Sequence, residues 1–401
     1  MIHSLVLCGF AGPRLQILLG VLVLVALLTV DFGANESLVL LRKRRLVHLI
    51  SSKLPSLSEN YLNDESRRQA LHWMANSRAN EISIWFGSAD RYRIVQQYSL
   101  ATFYFATNKL SKNATAANFT SKTSWVRSDG WLEEPDECKW YGVECMKDVL
   151  NDSDSNLVVG LNLSQNGLMG SIPLDLALLS DSLSVLDLIS NRLTGKISSV
   201  LGNMSLLQSL HLDRNELTGS LPSHIGLLTH LQHLTASHND FQFSLPTELG
   251  LLSKLQRLDF QKNSLLGPLP SELGLLTTSL KTLQLSHNNI FGQLPNSIER
   301  LRLLEWLDLS YNVLTGSLPS KLENLPNLSI MRLRNNFLKG EAGSNDARRK
   351  QTQQRIQEWD LSGNFFSDLP IDRDRSVPGA SRSPRTQEKR ERKITPDTCL
   401  E

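Results

Sequence analysis

Leu280-Lys281-Thr282-Leu283-Gln284-Leu285-Ser286-His287-Asn288 carries a nine-residue frame that recurs through much of the chain. Leucines at the alternating positions 283 and 285 predict a short strand with one buried face. The frame L-x-x-L-x-L-x-x-N returns 24 residues later as Leu304, Leu307, Leu309 and Asn312. Working outward, the closing amide recurs as Asn166, Asn191, Asn215, Asn239, Asn263, Asn288, Asn312, Asn336 and Asn364, at steps of 25, 24, 24, 24, 25, 24, 24 and 28 residues. Such a period defines a solenoid of about nine coils. No coil can bury its apolar face alone, and stacking buries it. An Asn donates and accepts at once, so each is expected to satisfy backbone groups of neighbouring coils, as a ladder. The expected class is an α/β solenoid that works by presenting a surface.

The second half of each copy narrows the reading. After Asn215 come Leu217, Gly219, Leu221, Pro222, Ile225, Gly226, Leu228 and Leu231, and the pattern returns as Gly267/Leu269/Pro270, Gly292/Leu294/Pro295 and Gly316/Leu318/Pro319. The form N-x-L-x-G-x-L-P-x-x-L-G-x-L-x-x-L resembles the plant-type leucine-rich repeat over roughly residues 125–370. That resemblance implies a right-handed horseshoe, with a parallel sheet on the concave face and 3₁₀ or irregular turns on the convex face. Proline fixes φ and donates nothing to a ladder, which suits the convex turn. The repeats are expected over 156–370. Two positions depart from the pattern: Ala236 stands where Leu belongs and Phe243 where Gly belongs. A Leu-to-Ala gap costs ~2–5 kcal/mol, so Phe241 or Phe243 is expected to fold over it. The last copy, Ile356, Trp359, Leu361 and Asn364, follows the polar insertion Glu341–Arg355 and reads as an imperfect terminal cap.

Before the first copy lies Cys138-Lys139-Trp140-Tyr141-Gly142-Val143-Glu144-Cys145. The form C-x-W-x-G-V-x-C resembles the plant-type N-terminal cap, which implies a Cys138–Cys145 disulfide. Two free thiols in a reducing compartment are the alternative. No His stands between the two cysteines, which argues against zinc. Upstream, Ile94, Tyr98, Ala101 and Phe105 recur at helical spacing within 90–107, and Asp64–Ala75 reads as a second short helix. Gln97-Tyr98-Ser99-Leu100-Ala101-Thr102 and the Trp-rich stretch after it resemble the cap extension of algal receptor-like repeat proteins. Residues 64–155 are therefore expected to form a helical cap region, its aromatics acting as core.

A short segment, 1–14, precedes an uncharged apolar run, 15–30, and a basic linker is expected over 31–63. The run is slightly short for a ~30 Å hydrocarbon core and slightly long for a signal-peptide core of ~7–15 residues. Both an uncleaved single-pass anchor and a cleaved signal fit; the algal resemblance favours the anchor. Arg42-Lys43-Arg44-Arg45 behind the run favours a cytoplasmic repeat domain by the positive-inside rule. The Cys pair and the acceptor sequons Asn35, Asn113, Asn118, Asn151, Asn203 and Asn327 favour a lumenal one. A seventh sequon, Asn162, falls on the concave strand face, where a glycan would crowd the first coil. Residues 371–401 mix charge, Ser and Pro and are expected to be disordered.

A net charge of +2 over 401 residues points away from nucleic acid. The sequence holds no nucleophile elbow, no phosphate-cradling Gly loop and no kinase signature, so neither enzyme, cofactor nor metal is expected. Function then falls on outward-facing strand positions, aligned in columns across the coils. His211, Arg214, His233, His238, Arg257 and Lys262 gather cationic or titratable groups. Trp306, Asp308, Tyr311 and Arg332 gather aromatic and charged groups, the composition of a binding hot spot. Solvated-face and lateral-packing readings stand beside these. The expected function is a membrane-tethered, receptor-like recognition domain for a peptide, protein or glycan, signalling through a co-receptor or kinase partner. The alternatives are a secreted inhibitor of polysaccharide hydrolases and a cytoplasmic membrane-tethered scaffold.

Overall fold

The computed structural model describes residues 34–53, 64–76, 88–108, 124–147, 156–341 and 356–367. The apolar run, the tail, most of the polar insertion and the sequons at Asn113, Asn118 and Asn151 lie outside them. Each coil gives a three-residue strand, such as Arg257–Asp259, Thr282–Gln284 and Trp306–Asp308. The middle residues Leu258, Leu283 and Leu307 are fully buried, and their neighbours turn to the concave face. Ten strands follow one another in chain order from Val143–Lys147 to Glu358–Asp360. The first pair is antiparallel and the rest are parallel, in register.

The closing amides hydrogen-bond from coil to coil. Asn288 Nδ2 donates to the Phe260 carbonyl of the preceding coil at 2.9 Å and to its own Leu285 carbonyl at 3.0 Å, while Oδ1 accepts the Leu265 N–H at 2.9 Å. Asn191, Asn215, Asn239, Asn263, Asn312, Asn336 and Asn364 repeat the arrangement. At the start of the ladder Asn166 clasps both backbone groups of Arg127, at 2.7 and 2.9 Å, and so ties the first coil to the cap.

The segment after each Asn forms a second parallel sheet of nine strands, from Met169–Gly170 to Phe365–Phe366. Periodicity alone gave only turns here, because the outward residues of these strands vary between coils. Beyond it lie the convex 3₁₀ segments. Pro222, Pro246, Pro270 and Pro295 cap four of them at φ between −60° and −70°. Ser198 stands in the proline position of another and caps it with its side chain. Gly226 lets adjacent coils close up there: a Cβ would sit 2.7 Å from the Glu248 carbonyl oxygen.

The irregular fourth coil is filled by two phenylalanines. Phe241 and Phe260 are fully buried, with ring centroids 5.5 Å apart, and Phe260 follows Ala236 in the same leucine column. Phe243 is exposed and does not cover the gap. It holds φ +65°, in the glycine position of the neighbouring coils. An L-residue in that region is strained by ~1–2 kcal/mol. Phe243→Gly is therefore expected to raise stability by about 1 kcal/mol, after the greater chain entropy of glycine is subtracted. A thermal melt of dilute protein checks this; a lower melting temperature would show that the ring is packing. In the last copy Ile356 and Leu361 are buried and Trp359 is half-buried.

Among the described residues three helices precede the solenoid: α1 (Ala34–Lys53), α2 (Glu65–Asn76) and α3 (Ser88–Thr107). The first falls where a basic linker was expected, and it is held by Leu46 and Ile50, buried one turn apart amid basic residues. Asp64 opens α2 by accepting the Arg67 N–H at 3.1 Å. Asp175 of the first coil accepts Arg67 Nε at 2.9 Å and the Tyr98 hydroxyl at 3.2 Å, which pins α2 and α3 to the solenoid. Trp125, Trp131 and Trp140 are buried against one another, with centroids 4.8 and 5.0 Å apart. This aromatic cluster seals the apolar end of the first coil. The Cys138 and Cys145 sulfurs are joined beside it, with Cα atoms 5.6 Å apart.

Candidate functional site on the concave sheet

Register places the expected columns side by side. Asp187, His211, Thr235, Asp259, Gln284, Asp308, Arg332 and Asp360 are successive partners. So are Val185, Ser209, His233, Arg257, Thr282, Trp306, Ile330 and Glu358. The expectation that both columns point freely into solvent is wrong for the first. Thr235, Asp259, Gln284 and Asp308 are buried. Two causes act together. Asp187, Asp259, Asp308 and Asp360 each accept the backbone N–H two residues on, which closes a local turn. Long side chains from neighbouring positions then lie across them.

Arg257 lies over Asp259 at 2.7 Å and over Gln284 at 2.8 Å. Burial raises the Asp259 carboxyl above its ordinary range, against the pull of Gln261 N–H and Arg257. His211 Nδ1 is 3.0 Å from Thr235 Oγ1, whose hydroxyl donates to Asp213. That leaves His211 Nδ1 as the donor. Asp213 also accepts the Ser237 N–H at 2.8 Å. His233 Nδ1 meets Ser209 Oγ at 3.3 Å, and its ring lies 6.2 Å from that of His211. Burial lowers the His233 pKa, helped by His211 and Arg257. The strand-borne half of the cationic group is thus largely occupied with its own neighbours.

The second group is occupied too. Trp306 is half-buried, and the Arg332 guanidinium sits 5.4 Å from its ring centroid. Arg332 grips Glu358 through two bonds, at 2.6 and 2.7 Å, and stands 3.8 Å from Asp308. These hydrogen bonds raise the Arg332 pKa and lower that of Glu358. Asp308 and Arg332 therefore brace the sheet, and Trp306 is the floor beneath the guanidinium.

The turn-borne column differs. Arg214, His238, Lys262, His287 and Tyr311 occupy one position of five successive coils, each with φ between +54° and +58°. The following Asn fixes this strained backbone through its amide bonds, and the turn carries the side chain to the rim of the sheet. Arg214 and Lys262 are exposed, and His238 lies between them half-buried. No ion pair joins any of the three to a carboxylate among the described residues. Burial lowers the His238 pKa, as do Lys262 and Arg214, against an opposing pull from Asp213. His287 and Arg334 were not singled out from the sequence. His287 stacks on Tyr311 at 4.2 Å, and the Arg334 guanidinium is 5.8 Å from the Tyr311 ring. Counting from the ladder aligns His287 with Arg214, His238 and Lys262 in the sequence, without marking it as a site residue.

Comparison with known proteins agrees with this architecture. A family described as "Leucine rich repeat" matches residues 278–338, and one described as "Leucine Rich Repeat" matches 182–204, 206–228 and 254–276. The LRR receptor-like serine/threonine-protein kinase GSO2 of Arabidopsis thaliana is 40% identical over 79 residues, which are 20% of this chain and 6% of that one. The crystal structure of the ectodomain of the Arabidopsis thaliana membrane receptor kinase GASSHO1/SCHENGEN3, in complex with CASPARIAN STRIP INTEGRITY FACTOR 2, superposes with TM-score 0.55 at 29% identity, covering 68% of this chain and 33% of that one. The Arabidopsis HAESA ectodomain, in complex with an extended IDA peptide hormone ligand, superposes with TM-score 0.51 at 33% identity, covering 59% and 38%. The chain thus spans about a third of each ectodomain. The matched segments are leucine-rich repeats, and the likeness to these ectodomains supports the plant-type form of the repeat.

Proposed function

We propose that the protein is a receptor-like recognition domain of the secretory pathway, which takes a peptide, protein or glycan with anionic groups along its concave rim. One observation carries this: Arg214, His238 and Lys262 stand on three consecutive coils, and among the described residues no carboxylate forms an ion pair with them. Adjacent strands lie ~4.8 Å apart, so these groups form a line along which an extended anionic ligand can run. The two peptide-bound or factor-bound ectodomains support a ligand-binding role. The bridged cap cysteines support an oxidising compartment. Tethering would come from residues 15–30 and signalling from a co-receptor or kinase partner.

Fluorescence anisotropy with a labelled hexaglutamate peptide tests the rim. The pKa of His238 is lowered, so its charge is absent at neutral pH and appears only below the usual imidazole value of ~6.5. Affinity is expected to rise as the pH falls from 7.5 to 5.5, by up to about fivefold, the worth of one exposed ion pair. An affinity that is flat or falls across that range would count against the rim.

A further inference from the structure

The outward face of the second sheet carries an apolar strip that the recognition reading does not use. Phe243, Leu266, Phe291, Val313, Phe337 and Phe365 lie on six consecutive coils, each between 40 and 66% exposed. Phe291 and Val313 are direct register partners at its middle. Phe337 and Phe365 stack at its end, with ring centroids 6.0 Å apart. Asn289, Thr315 and Lys339 interrupt it, in register with Leu266, Phe337 and Phe365, and Gln242 and Ser264 are exposed on the strands of Phe243 and Leu266. Parallel sheets are ordinarily covered on both faces, and this one is open along the strip.

The chain's own neighbouring sequence does not supply a cover. Between residues 341 and 355 alanine is the only apolar residue type. No acceptor sequon falls on the second sheet: Asn162 is on the concave strand Asn156–Asn162, Asn203 ends a convex 3₁₀ segment, and Asn327 lies in the turn after Leu322–Asn324. Glycans at those positions would leave the strip clear.

We propose that a second copy of this chain covers the strip, in a two-fold, antiparallel, sheet-on-sheet dimer centred between Phe291 and Val313. Charge supports this occupant. Asp240 is exposed on the strand of Phe243, at one end. Lys339 is exposed and in register with Phe365, at the other end. A two-fold axis through the middle brings each Asp240 end onto the partner copy's Lys339 end; a parallel arrangement would set like charges together. Size supports it as well. Aromatic side chains offer ~150–250 Å² each, so six large apolar side chains at half exposure leave roughly 500–600 Å². Two such strips total ~1,000–1,200 Å², the lower edge of a specific interface. The dimer is therefore reversible, and the two concave rims stay open.

The test uses the full chain. Val313→Cys sits next to the axis, and Leu227→Cys, on the exposed convex face, is the control. A short bis-maleimide is applied to cells expressing each variant; the wild type, which keeps Cys8 and Cys399, sets the background. The dimer gives a band of doubled mass several-fold above background for Val313→Cys alone. Adding Phe291→Asp and Phe337→Asp, both at exposed positions, removes that band while leaving the melting curve of the purified chain unchanged. Val313→Cys crosslinking no better than the wild type or Leu227→Cys overturns the proposal, as does a band that survives the two aspartates. A Val313→Cys band at the mass of a different protein overturns it in favour of another partner.

Discussion

Asn288→Ala loses about 3–5 kcal/mol of stability. The side chain serves two carbonyls and one N–H, from Phe260, Leu285 and Leu265, all inside the solenoid. Alanine strands all three, and each buried unsatisfied backbone group costs ~1–3 kcal/mol. Because each coil is supported only by its neighbours, the loss also uncouples the coils on either side. Asn288→Asp does not rescue, since a carboxylate can accept from Leu265 but faces two carbonyl oxygens with no proton to give. Chemical denaturation and hydrogen exchange read the effect. An alanine variant within about 1 kcal/mol of the parent would mean that the ladder is decorative, and the stacking argument would fail with it.

Reversing charge at the rim has the largest expected effect on binding. Arg214→Glu with Lys262→Glu is expected to weaken hexaglutamate binding by roughly 30- to 100-fold, at about 1–1.4 kcal/mol for each reversed contact. Both side chains are exposed and neither takes part in an internal ion pair among the described residues, so the fold should be untouched. Added salt should weaken the parent's binding in the same direction. Arg332→Ala is the informative contrast. Its guanidinium is already held by Glu358 and Asp308, so its loss should barely alter the probe's affinity. Equal losses from the two changes would mean that the whole face acts as one diffuse field.

The fold was legible because its two signals are redundant. Leucine alternation marked the strands, and the closing Asn marked their register, so the columns could be aligned by counting. The second sheet was not legible, because residues such as Phe291, Thr315 and Lys339 at its outward positions share no type. Helix α1 was hidden by composition: Leu46 and Ile50 are its visible anchors amid basic residues. The site was half legible. Counting gave the membership of each column but not who covers whom, since Arg257 shields Asp259 and Arg332 shields Asp308 through side-chain reach. The left-handed turn that sets Arg214, His238 and Lys262 apart from the strand-borne groups has no residue signature. It is imposed by the ladder that follows it.

A receptor-like role requires the repeat domain to enter the lumen, and a glycosidase mobility shift on the full chain made in eukaryotic cells reads whether it does. Asn203 and Asn327 are exposed and available to the transferase if the domain enters the lumen. A lumenal repeat domain drops in apparent mass after digestion, and the drop is abolished when the sequons are removed. An unchanged mass with the sequons intact would place the repeats in the cytoplasm and contradict the receptor-like reading.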